Sequence, residues 1–391
     1  MAQAALLLTY KVRLNPTAAQ HCAMDAARRR SQQIYNAALE ERIGAYRKSG
    51  ITRTYIDQCK GLTEVRADGT PFPVSMERWP LKRLDLAFKA FFSRAQNGSN
   101  PGFPRFKSYE RWRSFGFTQS QGWSLSGGSL LIKGIGAIRC KQHRALPSAP
   151  CSLVVRRYGR RWFACFGVRV QSGSNHTGET VGLDLGVSRL ATLSNGEFIA
   201  NANVAKRRAS RIKRAQRALA RCKAKSNGRR KVKQKLARLR EREAAHRLTY
   251  LHQVTAHLAA RFGKIVIEDL KPANMVRSAR GSKCAPGNGV AQKVGLNRSL
   301  SDAAFGKFRE LLTYKAARAG GQVVAVDPKY TSQTCSACGV VDAASRKSQS
   351  RFVCTGCGHS ANADVNAALN IARRGGGIVP GGHNVGRLSH A

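Results

Sequence analysis

Acidic residues are scarce in this chain: 21 Asp and Glu stand against 68 Lys and Arg in 391 residues. The charged fraction, 23%, is near the average of about 25%, so the departure is one of sign, and it leaves a formal charge of +47. Long apolar runs are missing too; none approaches the roughly 18 residues that a membrane span needs. The opening Ala4-Ala5-Leu6-Leu7-Leu8, followed by Lys11, is too short for a signal-peptide core and has its positive charge on the wrong side, so a cytoplasmic protein is expected. Of 11 cysteines, an odd number, seven are scattered singly among apolar or basic neighbours. That argues against a disulfide framework and fits reduced thiols. The hydrophobic fraction of 42% excludes a disordered chain. At roughly 150 residues per domain the length fits two or three domains. A folded binder of polyanions is what remains.

Leu6, Leu8, Tyr10, Val12 and Leu14 alternate with Leu7, Thr9, Lys11 and Arg13, the period of a strand with one buried face. Asn15-Pro16 reads as the cap and first residue of a long helix that ends near Ser49-Gly50. A second helix is expected from Pro80 to Gln96, with Leu81, Leu84, Phe88, Phe91 and Phe92 on its core face. Phe103, Phe106, Tyr109, Trp112, Phe115 and Phe117 interleave with Arg105, Lys107, Arg111 and Arg113. That composition suits stacking on bases while pairing phosphates, and equally suits strands packing inward. Leu130 to Ile138, Ser152 to Arg157 and Trp162 to Val170 read as short strands of a small β-barrel, with Trp162, Ala164, Phe166, Val168 and Val170 inside.

The polar stretch Gln171 to Gly178 marks a domain boundary. Beyond it Val181 to Leu185, Leu190 to Ser194 and Phe198 to Ala200 predict an antiparallel meander. Ile212, Ala215, Leu219 and Cys222, then Val232, Leu236, Leu239, Leu248, Leu251 and Leu258, predict a helical hairpin over 206–262 that pauses at Ser226-Asn227-Gly228. Its acids, Glu241 and Glu243, are too few to neutralise the Arg and Lys around them. The outer face, with Arg207, Arg211 and Arg214, is therefore assigned to a phosphate backbone over the ordinary reading as a solvated face. A strand from Lys264 to Leu270, a Gly/Lys/Ser-rich loop to about Asn297, a helix from Ser301 to Ala319 and a strand from Gln322 to Asp327 follow. The tail past Arg373 reads as frayed.

Four cysteines are grouped. Cys335-x2-Cys338 is followed after fifteen residues by Cys354-x2-Cys357, with Gly339 and Gly358 closing the two turns. This is zinc-ribbon spacing, in which four thiolates surround one tetrahedral Zn2+. Redox pairing within each Cys-x-x-Cys is the alternative, without a thioredoxin-like context to support it. Carboxylates at the ends of apolar strands are harder to explain in so basic a chain. Asp184 lies in Val181-Gly182-Leu183-Asp184-Leu185-Gly186, Glu268 in Ile265-Val266-Ile267-Glu268, and Asp364 at the start of a helix from Ala363. Brought together they would repel one another unless cations sat among them, and hard oxygens select Mg2+ or Mn2+. Two such ions would activate a water and steady the leaving oxygen of a phosphodiester. Taken singly, Asp184 and Glu268 are also read as solvated strand ends and Asp364 as a helix cap or first-turn dipole partner, while Asp269 and Asp327 compete as strand-end carboxylates.

These motifs, in the order Val-Gly-Leu-Asp184-Leu-Gly-Val, Ile-Val-Ile-Glu268-Asp-Leu, Tyr330-Thr331-Ser332-Gln333-Thr334-Cys335-Ser336-Ala337-Cys338-Gly339, Cys354-Thr355-Gly356-Cys357-Gly358 and Asn362-Ala363-Asp364-Val365-Asn366-Ala367-Ala368, resemble the TnpB family. Its members are transposon-encoded, RNA-guided DNA endonucleases related to compact type V CRISPR effectors. The likeness runs from about Val181 to Arg374 and, less specifically, through Phe103-Pro104-Arg105-Phe106-Lys107 and Ser114-Phe115-Gly116-Phe117. The loop around Cys284 to Gln292 and the C-terminal tail match nothing assignable.

The resemblance implies an α+β multidomain protein. Residues 1–14 and 114–171 would form a wedge-type β-barrel and 15–113 a helical recognition insertion. Residues 179–328 and 362–374 would form an RNase H-like (RuvC) nuclease domain that includes the hairpin, 329–361 a zinc ribbon, and 375–391 a flexible tail. Asp184, Glu268 and Asp364 would hold two Mg2+ (or Mn2+) as catalytic acids, and Cys335, Cys338, Cys354 and Cys357 one structural Zn2+. Lys329, Tyr330, Ser332 and Gln333 would join the basic residues above as nucleic-acid contacts. The partners implied are a guide RNA from the same transposon and a double-stranded DNA target beside a short motif. A guide-independent transposase or recombinase on the same fold, and a non-cleaving guided repressor, are the alternatives; intact acids argue against the second.

Overall fold

The computed structural model describes residues 5–377 apart from 68, 160, 174, 175, 177 and 283, so the tail expected to be flexible lies, past residue 377, outside the described residues. The chain divides into two compact units between Gln171 and Ser172.

The first unit holds β1 (Ala5–Asn15), α1 (Ala18–Ser49), α2 (Tyr55–Val65), α3 (Val74–Gln96), β2 (Ser114–Gly116), β3 (Trp123–Ser126), β4 (Ser129–Ile132), β5 (Gly136–Lys141), β6 (Pro150–Tyr158) and β7 (Arg161–Gln171). The strands form one antiparallel sheet in the order β2-β6-β7-β1-β5-β4-β3. The alternation of β1 is used as predicted: Tyr10, Val12 and Leu14 enter the core with Trp162, Ala164, Phe166 and Val168 of β7, and Val170 packs against it. Among the described residues the expected barrel is a curled sheet whose edge strands β2 and β3 are not paired with each other. These edge strands are three and four residues long. Aromatic contact covers the gap, with Trp123 6.4 Å from Phe117 and 6.1 Å from Phe166 between ring centroids.

The helices depart from the expected boundaries for local reasons. Thr17, not Asn15, caps α1, because Thr17 and Gln20 form a reciprocal capping box. α2, unforeseen, is capped the same way by Thr54 and Asp57. α3 starts six residues before Pro80 and carries the proline inside it. The bond lost there is offset by Glu77, fully buried in the first turn and ion-paired to Arg30 at 2.9 Å and to Arg66. Leu81 and Leu84 are buried with Ile34, Leu39 and Trp112 and Phe88 packs against them, while along the predicted core face Phe91 is half-buried and Phe92 exposed.

The second unit holds β8 (Thr180–Asp184), β9 (Arg189–Leu193), β10 (Phe198–Ala200), α4 (Val204–Arg221), α5 (Asn227–Arg261), β11 (Lys264–Glu268), α6 (Pro272–Met275), α7 (Val290–Ala303), α8 (Phe305–Ala319), β12 (Gln322–Val326), β13 (Arg351–Val353), β14 (Ser360–Asn362) and α9 (Ala363–Arg374). The predicted meander β8–β10 is present, but β11 and β12 add to it in parallel, giving a mixed sheet in the order β10-β9-β8-β11-β12. Where one helix was expected from Ser301, two meet at Ala304, whose positive φ of 52° ends α7 and starts α8. The preceding loop is correspondingly shorter. Val181, Leu183, Ile265 and Ile267 turn one face of the sheet toward Leu251 and Leu258 of α5 and Phe308, Leu311 and Leu312 of α8. No helix among the described residues is long and apolar enough to cross a membrane.

Candidate active site and thiol cluster

Strand parity decides where the acids go. Because Val181, Leu183, Ile265 and Ile267 face the core, Gly182, Asp184, Val266 and Glu268 share the opposite face. The parallel register pairs Ile267 with Leu183, so Asp184 and Glu268 end neighbouring strands side by side, with about 4.8 Å between backbones. α9 lies on that face and runs antiparallel to β8. A Cβ at Gly182 would fall 2.2 Å from the Ala368 carbonyl oxygen, and one at Gly377 2.8 Å from Thr180 Cγ2. Only glycine at 182 permits this approach. One helical turn before Ala368 is Asp364, and two residues past Gly182 is Asp184, so each acid is displaced by about 6 Å toward the same end.

The electrostatics follow. Burial, then the charges of Glu268 and Asp364, push the Asp184 carboxyl up to about 7, against a smaller pull from Arg346. Burial also raises Glu268, opposed by the Thr331 hydroxyl and by Arg374. Thr331 Oγ1 donates to Glu268 Oε1 at 2.6 Å, and Arg346 Nη2 reaches Asp364 Oδ1 at 3.5 Å. Asn362, not Asp364, caps α9, accepting from the amides of Asp364 and Val365. The Asp364 side chain is thereby left free of the capping duty that its simplest reading gave it. Asp269, next to Glu268, turns away to Arg309, and Asp327 accepts from the Lys329 amide at 3.0 Å, so neither competitor joins the three acids.

One face of α9 fixes the segment that carries Thr331. Asn370 Nδ2 donates to the carbonyls of Thr331 (3.0 Å) and Thr334 (2.7 Å), and Asn366 Nδ2 to that of Thr334 (2.8 Å). Asn366 Oδ1 accepts from the Ser336 amide, while Arg373 and Arg374 hold the carbonyls of Ser336, Asp327 and Lys329. Sequence reading missed Thr331, Arg346, Asn366 and Asn370. Two amides four apart in an Ala-rich helix were the available signal for the last pair.

The thiols sit on the continuation of that segment. The Sγ atoms of Cys335 and Cys357 are 3.8 Å apart, those of Cys338 and Cys354 3.6 Å, and all four lie within 4.8 Å of one another. A tetrahedral ion with arms of about 2.3 Å needs sulfur–sulfur edges of about 3.8 Å, so the cluster fits Zn2+. The shortest contacts run between the two Cys-x-x-Cys turns, the arrangement of four ligands around one ion. The amide of Cys357, followed by that of Gly356, holds the Cys354 thiol down to about 6, which favours the thiolate that a metal needs. Among the described residues no other group of three or more metal-ligating side chains is drawn so close, and the carboxylates stand wider apart, as like charges do.

The basic residues are dispersed. Arg207, Arg211 and Arg214 are exposed on α4, where Arg207 and Arg211 line a groove of about 750 Å³ with Arg208, His246 and Tyr250. Arg105, Arg111 and Arg113 are exposed in the first unit. Lys107 is half-buried, its backbone bonded to Gln32 and Asn36 of α1. Lys329 and Tyr330 are exposed, with the ammonium 5.0 Å from the ring centre, and Ser332 and Gln333 are half-buried. Tyr330 has a φ of 62°, a left-handed conformation that a bulky residue holds only at a cost of about 1–3 kcal/mol. Thr334 stabilises it, donating its amide and hydroxyl to the Tyr330 carbonyl.

The chain resembles known proteins over nearly its whole length. A "Probable transposase" family model matches residues 164–279, and a "Cas12f1-like, TNB domain" model matches 305–371. The putative RNA-guided DNA endonuclease InsQ of Escherichia coli is 33% identical over 389 residues, 97% of this chain and 95% of that protein. A putative RNA-guided DNA endonuclease of Streptomyces pristinaespiralis is 29% identical over 94% of this chain and 89% of its own length. Among solved structures, Cas12f1 in a complex with sgRNA and target DNA superposes with a TM-score of 0.61 at 13% identity, covering 94% of this chain and 99% of that one, a likeness of fold.

Proposed function

The chain belongs to the TnpB family, and from that premise we propose that it is an RNA-guided DNA endonuclease whose cutting centre is Asp184, Glu268 and Asp364. The observation that carries the proposal is the convergence of these acids at the ends of two adjacent parallel strands and the first turn of the helix laid across them. The order β10-β9-β8-β11-β12, a meander extended by parallel strands, supports an RNase H-like nuclease domain. Three half-buried carboxyls, two of which raise the proton affinity of the third, Asp184, suit hard divalent cations, Mg2+ or Mn2+. Two such ions, when bound, supply an activated water and charge stabilisation at the leaving oxygen.

The protein's own groups do the rest. Thr331 orients one oxygen of Glu268, and Arg346 balances Asp364 and offers a cation on the edge of the site. Asn366 and Asn370 of α9 hold the Thr331 segment in register with the thiol cluster, which takes one structural Zn2+. Lys329 and Tyr330 present a cation and a ring beside the Thr331–Glu268 contact, suited to a nucleotide next to the cut. Sequence is read by base pairing to a guide RNA from the element that encodes the protein, and the basic faces of both units hold the nucleic-acid backbones. The test is to purify the full chain with its own RNA, sequence that RNA, and offer a matched duplex. Mg2+-dependent cutting that requires the match is expected; cutting indifferent to RNA points instead to a guide-independent transposase.

A further inference from the structure

The aromatic series between residues 103 and 117 divides in two. Trp112, Phe115 and Phe117 are buried, while Phe103 is 48% exposed and Phe106 54% exposed. Phe103 turns back onto the C-terminal half of α3, edge-on to Phe88 at 5.6 Å and to Phe91 at 5.4 Å between ring centroids. Phe92, 55% exposed, extends the group, 5.1 Å from Phe91 and 6.3 Å from Phe88. Arg94 holds the return in place, its Nε donating to the Pro101 carbonyl at 2.7 Å and Nη2 to that of Gly102 at 3.4 Å. Two exposed rings, Phe92 and Phe103, therefore reach the surface on a braced base of two half-buried ones, Phe88 and Phe91.

Charge at the rim of this patch is positive. Lys89, Arg94 and Arg105 flank it, and Arg42 stands 5.0 Å over the Phe88 ring. The acid on this part of α3, Asp85, is already shared by Lys89 at 3.2 Å and by Arg42 and Lys82 at 4.0 Å. Arg94 is bonded to carbonyls and forms no ion pair among the described residues.

We propose that Phe88, Phe91, Phe92 and Phe103 form a stacking platform for unpaired bases of the guide RNA. Each exposed ring offers a flat apolar face of the size of a base, and the flanking cations meet the phosphates on either side. A second copy of the chain is a poor occupant, since each copy brings +47 and a cationic rim to the contact. Among nucleic acids the RNA is the resident partner under the guided reading, on which this inference rests. An apolar cluster left bare until DNA arrives would be an aggregation liability in the waiting complex.

The experiment takes the full chain with its co-purified RNA, irradiates it with ultraviolet light and maps nucleotide adducts by mass spectrometry. Adducts on the peptide spanning Phe91 to Phe103 are expected, and crosslinks elsewhere with none on that peptide would overturn the platform. In parallel, RNA-free protein binds single-stranded oligo(U) and an abasic oligomer of the same length. Phe92→Ala with Phe103→Ala should weaken oligo(U) binding about 10- to 100-fold and leave the abasic oligomer unchanged, whereas Phe92→Trp with Phe103→Trp should retain it. Equal binding of oligo(U) and the abasic oligomer by the unsubstituted protein contradicts stacking without any reliance on how the variants fold. A dimer of the unsubstituted protein broken by the alanine pair would assign the patch to self-association instead. Guided cutting of a matched duplex is read separately, so a failed platform with intact cutting, and stacking without guided cutting, are distinct results.

Discussion

The thiol cluster and the acid cluster are both sets of side chains of the kinds that bind metals, yet they are assembled in opposite ways. The four cysteines lie within 23 residues of chain, and two tight turns bring their sulfurs within 4.8 Å. The three acids span 181 residues and meet only because β8 and β11 pair in parallel and α9 lies across them. A site built from local turns is specified by spacing; one built from tertiary contacts depends on every contact that positions its parts. The thiol cluster should therefore fail alone when damaged, and the acid cluster should respond to changes at residues that never touch a metal.

The largest effect expected is from Asp184→Ala, which should drop matched cutting to background in a gel assay while gel-shift binding of guide and target persists. Retained Mg2+-dependent cutting, with contaminating nuclease excluded, would remove the acid cluster from the mechanism. Next, Cys338→Ser should take the zinc content from one ion per chain toward none by elemental analysis, with the helical circular dichroism little changed because the ribbon holds almost no helix. Loss of most helix would show that the thiol cluster is not the local device described above. Thr331→Val removes the hydroxyl from Glu268 and should lower the single-turnover rate about 10- to 100-fold, the usual effect of a group that orients a metal ligand. An unchanged rate would make that hydrogen bond incidental.

The smallest effect concerns pH. A carboxyl whose proton affinity is raised on folding binds its proton more tightly in the folded state, so metal-free protein should lose stability as pH rises from about 4 to about 7 and level off above. Asp184→Asn removes that titration and should flatten the melting curve against pH over the same window. A slope identical in both proteins would mean that Asp184 does not carry the repulsion.

Much of this was legible where the signal is local. The alternation of β1, the meander, the hairpin helices and the cysteine spacing each depend on neighbours within a few turns of chain, and each appears in the structure. The misses have one physical origin, competition between a local signal and something outside it. Pro80 reads as a helix start until Glu77 is seen buried between two arginines. Ala304 gives no turn signal, yet separates two helices. Parallel addition of β11 and β12 cannot be read from either strand, since an apolar pentapeptide is compatible with either direction. Gly182 carries the tertiary information in plain view, but its reason is the Ala368 carbonyl, 186 residues away. Motif resemblance located the acids; only strand parity and the lie of α9 explain why they face one another.

The most direct test of the account is a crystal of the full chain with its RNA grown in Mn2+ and measured at the manganese absorption edge. Anomalous peaks enclosed by Asp184, Glu268 and Asp364, absent from Asp184→Ala crystals, are predicted. Manganese bound elsewhere, with those three side chains unligated, would contradict it.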